Sequence, residues 1–431
     1  MKKKEGLKMI KIAIIGLGAR GADVYGTFIN NNIKDAKIVQ IADPNVERRN
    51  KFKKNFNISC EFVYSSGDEL LNDKKIADAI IIATPDKLHY KDTIKALNLG
   101  YDILLEKPIS PSEDECIEIK ELAAKKGRIV ALCHVLRYAP LYTKIKEILV
   151  SKALGEIVHI HQIEHIGYWH FAHSYVRGNW RNEKESAPVL LAKSCHDIDN
   201  IIWFMDKEVE RVSSMGSLFH FKKENKPKGH PERSLDCYDL VGCPYDANKI
   251  YLENFLKDPD KNKDSWPYTV LTPYPSVKTL KEAINNGPYG RSVYDCDNDV
   301  MDNQMVNMAF KDGSHAHLTL IAHTGSNHRQ IKIMGTRGEL EANDKDQTIS
   351  IKIFDGSFDV KPTIIDLKKE NLDLSGHGGG DSRLVLDFIN LLKGNTKEVK
   401  ALTTIDESIK SHLIIFKAEE SRKENGALKY L

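Results

Sequence analysis

The chain lacks an excess of either charge. Its 431 residues carry 63 basic against 61 acidic side chains, so nothing in the balance calls for nucleic acid or another polyanion as partner. It also lacks an apolar run approaching the roughly 20 residues that span a bilayer. Behind Lys2-Lys3-Lys4 the apolar stretch is interrupted by Lys8 and Lys11, so no secretory signal is expected. No membrane partner and a cytoplasmic location are therefore expected. Cysteine is sparse: seven residues, scattered singly and odd in number, which argues against a disulfide framework. Cys237 and Cys243 are too few for a four-ligand zinc site. A globular protein of a reducing compartment remains, with two or three domains as the expectation from length.

What the sequence does contain is a short Ile-rich run, residues 11–15, that ends in Gly16-x-Gly18-x-x-Gly21. The run reads as a fully buried parallel strand, and a helix is expected after it. Gly16 allows a tight turn off the strand, Gly18 lets a pyrophosphate approach the backbone, and Gly21 lets the helix pack closely on the strand. The phosphates then meet free N–H groups at the helix's positive end. A second apolar run, residues 37–42, leads into Asp43, about 20 residues on, where a dinucleotide fold carries its ribose-binding carboxylate. A carboxylate there accepts from a 2′-hydroxyl and repels a 2′-phosphate, so NAD is favoured over NADP, although Arg48 and Arg49 follow closely and offer a phosphate partner.

Strands and helices then alternate. Residues 61–64, 77–83, 101–106 and 129–133 read as strands, and 46–56, 89–99 and 114–126 as helices, with another opening at Ser66. This alternation means a parallel, doubly wound sheet, in which ligands bind at the carboxyl ends of strands. Those ends carry Gly16 to Gly21, Asp43, Thr84-Pro85 and Glu106-Lys107. A Lys beside a Glu at such an edge is costly to bury unless paired.

Taken in order and spacing, Gly16-Leu17-Gly18-Ala19-Arg20-Gly21, Ala42-Asp43-Pro44, Ala83-Thr84-Pro85 with His89, Glu106-Lys107-Pro108 and Arg137-Tyr138-x-Pro140 resemble the Gfo/Idh/MocA oxidoreductase family. The resemblance continues through Gly155-Glu156, the His196 segment and Gly335-Thr336-x-Gly338-Glu339-Leu340. It implies a Rossmann domain (residues 1–134) and a C-terminal α+β domain (135–431) with a large, mostly antiparallel sheet. It also implies a nicotinamide cofactor, a sugar-like substrate, and a homodimer or homotetramer. Carried over position by position, it implies cofactor contacts at Ala19, Arg20, Thr84, Pro85, His89, Glu106 and His134. Lys107 would lie near nicotinamide and substrate, His196 would face the reacting hydroxyl, and Arg137 and Tyr168 would touch the substrate.

Beyond residue 134 the texture changes. Residues 157–166 read as a strand with His159, His161 and His165 on one face. His-x-His on a strand can bind a metal, but Glu164 points to the opposite face and cannot complete the set, so no metal is expected. Residues 169–180 read as irregular and dense in rings and polar groups. His173, Arg177 and Trp180 among them suit a carbohydrate, which combines apolar faces with hydroxyls; an ordered surface loop is the alternative. Residues 190–204 read as one helix that projects Lys193, His196 and Asn200 from one face, with Asp199 on the same side. A His beside a Lys is what alcohol oxidation needs, one group taking the hydroxyl proton and a cation stabilising the alkoxide. Better-known dehydrogenases of the family carry an Asp four residues before the His; here that position is Ala192, and Lys193 adds a second cation.

The departure leaves three functions open: oxidation of a sugar, polyol or glycoside hydroxyl by NAD; glycoside cleavage by transient oxidation, elimination, water addition and re-reduction; or a catalytically silent nucleotide sensor. Residues 219–287 are the least regular and read as an insertion near the site or an interface. Residues 316–322 alternate as a half-buried antiparallel strand, and 329–334, 340–342 and 350–354 add further strands. Gly376-His377-Gly378-Gly379-Gly380-Asp381 reads as a loop near the substrate or a plain linker before a helix with Leu384, Phe388 and Leu391 on one face. The last helix, residues 406–424, is expected to bury Ile409, Leu413 and Phe416.

Overall fold

The structure, a computed structural model, describes residues 9–233, 242–395 and 403–431. Cys237 lies outside the described residues. The chain divides into two compact units, one reaching to Ala139 and taking in Asp373–Lys410, the other Pro140–Leu372 with Ser411–Leu431.

In the first unit the Ile-rich run forms β1 (Ile10–Ile15), and β2 (Ala36–Ala42), β3 (Val63–Tyr64), β4 (Ala79–Ile82), β5 (Asp102–Leu105) and β6 (Val130–Leu132) follow in turn. All pair in parallel, in the order β3-β2-β1-β4-β5-β6. The strand order reverses beside β1, which places the ligand crevice at the carboxyl ends of β1 and β4. Because helices cover both faces, the central strands are mostly apolar: Ile12, Ile14, Ile80, Ile81 and Leu104 are fully buried, each worth about 1.5–3 kcal/mol relative to exposure. The strand expected over 61–64 is shorter, since Cys60–Phe62 forms a helical turn. Ser66 caps the helix Gly67–Asn72 by accepting from the Glu69 N–H, and Gly127, at φ 59°, ends the helix Glu113–Lys126.

The segment Ser375–Leu392, helical beyond a left-handed turn at Gly376–Gly379, belongs to this unit, not to the C-terminal one assigned from sequence. Its apolar side supplies Leu384, Val385, Phe388 and Ile389 to the core that holds Ile12, Ile14 and Leu104. A continuous domain boundary cannot anticipate this return, because the stripe shows which residues are buried and not which sheet buries them.

The second unit holds, among the described residues, a nine-stranded sheet. It runs through β7 (Ile157–Gly167), β8 (Val209–Ser217), β9 (Asn303–Phe310), β10 (His315–Thr324), β11 (His328–Gly335), β12 (Gly338–Asn343), β13 (Thr348–Ile353), β14 (Thr363–Asp366) and β15 (Lys429–Tyr430). The order is β14-β13-β12-β11-β7-β10-β9-β8-β15. β10 is antiparallel to β9, as its alternation suggested, but parallel to β7; alternation reports a half-buried face and is blind to the partner's direction.

Residues 169–180 and 219–287 are more regular than their composition suggested. Tyr168–Phe171 and Ala172–Arg177 are helical. Within the second stretch lie the helical segments Asn248–Glu253, Tyr268–Leu271 and Val277–Asn286, which enclose their own core of Ile250, Tyr251, Phe255, Leu280 and Ile284, with Trp169 packed against it. The last helix, Ile405–Lys423, buries Ile409 together with Ile415 and Ala418, whereas Leu413 and Phe416 are half-buried. Among the described residues no helix is long and apolar enough to cross a membrane.

Candidate active site

At the carboxyl edge of the parallel sheet the three glycines have separable roles. Gly16 adopts φ +94°, and a Cβ there would lie 2.4 Å from the Ala83 carbonyl oxygen. A Cβ on Gly21 would lie 2.1 Å from the Gly16 oxygen. Both are needed to build the turn. Gly18 is different: a Cβ there meets nothing within 4 Å, so the chain itself does not require it, and the open space in front of the helix Ala19–Gly26 is what a phosphate would occupy.

Asp43 is buried at the end of β2. One carboxylate oxygen accepts from the Leu17 N–H at 2.8 Å and the other from the Asn45 N–H at 2.8 Å. The glycine turn and the acid are thus locked together. Arg49 donates to the carbonyls of Asp43 and Pro44 at 2.6 and 2.9 Å, and Arg48 stands 4.0 Å from the Asp43 carboxylate. Arg49 is therefore engaged by the backbone carbonyls on either side of the turn after β2.

At the ends of β4 and β5, His89 is fully buried, with Nδ1 2.7 Å from the Pro108 carbonyl oxygen and Nε2 2.9 Å from that of Thr84. It braces the Thr84-Pro85 and Glu106-Lys107-Pro108 turns against each other, in place of the direct cofactor contact implied by resemblance. Glu106 is buried. Burial alone would raise its carboxyl, but Arg20, Lys107 and the Tyr25 hydroxyl outweigh it and hold it below the usual range. One oxygen accepts from Arg20 Nε at 2.9 Å and from Tyr25 at 2.5 Å, the other from the Lys107 N–H at 3.0 Å. His134 and Arg137, after β6, are also buried.

In the second unit the segment read as one helix is broken. Val189–Ala192 and Cys195–Met205 are separate helices, with Lys193 and Ser194 between them. His196, Asp199 and Asn200, at steps of three and four, remain on one face of the second helix and are buried. Lys193 leaves that face: its Nζ lies 3.1 Å from Glu164 Oε1 on β7. Glu164 Oε2 also pairs with Arg329 Nε at 2.9 Å, and the same nitrogen lies 2.6 Å from Asp197 Oδ1. Gln162 donates to Asp197 at 2.6 Å. Lys193 is consequently a neutralised member of a buried ion network and not a second catalytic cation. Burial raises the Glu164 carboxyl against the pull of Arg329 and Lys193. Among the described residues neither amide atom of Asn200 has a hydrogen-bond partner, although both are buried.

Two of the side chains expected to touch a carbohydrate are structural. Arg177, 1% exposed, donates to the carbonyls of Arg291 and Tyr245 at 2.7 and 2.6 Å. His173 is buried, bonds the Tyr251 hydroxyl at 2.9 Å and stacks on Tyr289; burial, with Arg177 beside it, lowers its ring to about 3. Both hold the helical 168–177 segment to the 219–287 region. Tyr168 and Trp180 are half-buried, each at the rim of a ring cluster. Among the described residues, no three His, Cys, Asp or Glu side chains gather so as to hold a metal ion.

Comparison with known proteins then decides the family. Residues 10–134 match the oxidoreductase family described by its NAD-binding Rossmann fold, and residues 146–429 match that family's C-terminal alpha/beta domain. The chain belongs to the Gfo/Idh/MocA oxidoreductase family. It is similar to the Bacillus subtilis (strain 168) protein YteT, 24% identical over 347 residues, covering 76% of this chain and 75% of YteT. It is also similar to the inositol 2-dehydrogenase of Rubrobacter xylanophilus, 26% identical over 214 residues, 48% of this chain and 55% of that enzyme. The chain thus spans about half the length of that relative. A solved inositol dehydrogenase homolog complexed with NAD+ from Azotobacter vinelandii shares the fold, with TM-score 0.69 over 98% of each chain at 14% identity.

Within this Gfo/Idh/MocA member the sequence singled out the edge residues Gly16, Gly18, Gly21, Asp43 and Lys107, which the parallel sheet brings to one edge. It missed Arg329 and the pairing role of Glu164. A lone Arg on a strand carries no signal of its own, and the carboxylate that meets Lys193 lies on another element, β7.

Proposed function

We propose that this oxidoreductase binds NAD in preference to NADP and transfers a hydride between it and a hydroxyl-bearing carbon of a sugar, polyol or glycoside. The observation that carries the reading is one sheet edge: Gly18 open in front of a helix N-terminus, Asp43 held by two N–H groups, and Lys107 at the end of β5. Gly18, Ala19 and the helix that follows would hold the pyrophosphate, Asp43 the ribose hydroxyls, and Thr84, Pro85, Glu106 and His134 the remainder. When bound, NAD supplies the hydride acceptor. Lys107 places a positive charge where the substrate oxygen loses its proton, and His196 accepts that proton. Tyr168, Trp180, Arg137 and Asp199 contact the substrate. Lys193 has no part in the chemistry and keeps its neighbourhood neutral through Glu164.

The second reading is the redox-neutral glycosidase, favoured by Ala192: the His helix offers no carboxylate four residues before His196. Incubation with NAD and a library of sugars and glycosides, followed by mass spectrometry, separates the two. A product lighter by two hydrogens with matching NADH supports the dehydrogenase. Cleavage that requires NAD without net NADH supports the glycosidase. NAD binding with no turnover, indifferent to Lys107→Ala, supports a silent sensor. A cytoplasmic homodimer or homotetramer is part of the same proposal, and light scattering on the purified protein tests the assembly.

A further inference from the structure

The Gly376–Asp381 stretch has no place in the reading above, yet it is built into the nucleotide-binding unit. Gly376, His377, Gly378 and Gly379 all adopt positive φ. A Cβ on Gly379 would lie 2.1 Å from the Asp373 oxygen, and one on Gly380 would lie 2.2 Å from the Val135 oxygen. Arg383 Nη1 donates to the Gly379 carbonyl at 2.6 Å. The stretch is therefore a fixed left-handed turn with one outcome, the placing of Asp381. That carboxylate takes Arg20 in a two-pronged pair, Nη2 to Oδ1 at 2.7 Å and Nη1 to Oδ2 at 3.2 Å, with His377 Nδ1 3.0 Å away. The opposite edge of the same guanidinium lies on Glu106, whose other oxygen holds the Lys107 N–H.

We propose that Asp381 is a positioning residue of the nicotinamide end of the cofactor site, acting through Arg20 and Glu106 on Lys107. Arg20 is held flat between two carboxylates, and this planar fork is something only a guanidinium does well. Its role is thus to orient Glu106, at a position where the resemblance implied a direct cofactor contact. Without Asp381, Arg20 has one carboxylate left. It then turns more fully onto Glu106, in competition with the Lys107 N–H, and the edge gains a net positive charge. The nicotinamide end loses its geometry, while the anionic pyrophosphate is bound no less well.

The inference rests on the reading that nicotinamide binds beside Lys107, and the test separates the two. Titration calorimetry with NADH and with ADP-ribose, which lacks nicotinamide, is run on wild-type, Asp381→Asn, Asp381→Glu and Arg20→Lys proteins. The expected result for Asp381→Asn is NADH weakened on the order of tenfold, the worth of one charge-assisted hydrogen bond, with ADP-ribose unweakened. Asp381→Glu recovers part of the loss. Arg20→Lys, which keeps the charge but cannot bridge two carboxylates, reproduces the NADH-selective loss and serves if Asp381→Asn fails to fold. Unchanged NADH affinity in Asp381→Asn overturns the proposal. So does equal weakening of both ligands, which marks a purely structural tie. A wild-type chain that binds neither ligand overturns the cofactor reading itself.

Discussion

Replacing Arg329 with Met removes the cation at the centre of the buried network in the second unit. Its Nε lies 2.6 Å from Asp197 and 2.9 Å from Glu164. Asp197 is 0% and Glu164 1% exposed, so neither carboxylate can turn to water. After the substitution Glu164 still has Lys193, but among the described residues the Asp197 carboxylate keeps only the Gln162 amide. Breaking a buried pair in this way costs about 3–5 kcal/mol. For a unit of this size each kcal/mol moves the melting temperature by about 2–4 °C, so a fall on the order of 10 °C is expected by calorimetry. The sign of the pH dependence follows. Burial already raises the Glu164 carboxyl against the pull of Arg329; without Arg329 it rises further above its unfolded value of about 4, and a raised acid loses stability as pH climbs from the unfolded to the folded value. The deficit is therefore smaller at pH 5 than at pH 8. Adding Asp197→Asn removes the stranded charge and restores a substantial part of the loss. A deficit below about 1 kcal/mol, or one independent of pH, refutes the argument.

Gly18→Ala is expected to leave the melting temperature of the nucleotide-free protein nearly unchanged, within about 0.5 kcal/mol, while weakening NADH at least tenfold by calorimetry; Gly16→Ala, at φ +94° and 2.4 Å from a carbonyl oxygen, destabilises the fold itself. Asp43→Ala narrows the NADH-to-NADPH affinity ratio and, by leaving the Leu17 and Asn45 N–H groups without their acceptor, costs about 1–3 kcal/mol in a denaturant titration. Asn200→Leu removes a buried amide that has no hydrogen-bond partner among the described residues, so thermal stability rises or holds while turnover of an identified substrate falls. In the first unit, burial tends to raise Asp381 but Arg20 and His377 hold it well below the usual carboxylate range. Its contribution is therefore present above the unfolded value of about 4 and is lost as pH falls toward the lower folded value, which an acid titration of the wild type against Asp381→Asn detects.

Local sequence was enough for the nucleotide-binding edge, though not for the break at Lys193 and Ser194 or the helical turns of residues 168–177. The buried strand before Gly16, the turn, the acid after β2 and the polar strand ends are each read from a few adjacent residues, because a parallel sheet forces its ligand to one edge and the chain must place its polar groups there. Local sequence also showed that Leu384 and Phe388 share an apolar face. What it could not supply is the partner of each group. The helix bearing Leu384 returns to the first unit, β10 lies parallel to β7, Lys193 meets Glu164 from another strand, and Arg20 meets Asp381 across 361 positions. Spacing along a chain determines which side chains share a face. Only tertiary packing decides what that face meets, and for a buried charge the partner determines whether it acts as a catalyst, a ligand or a brace.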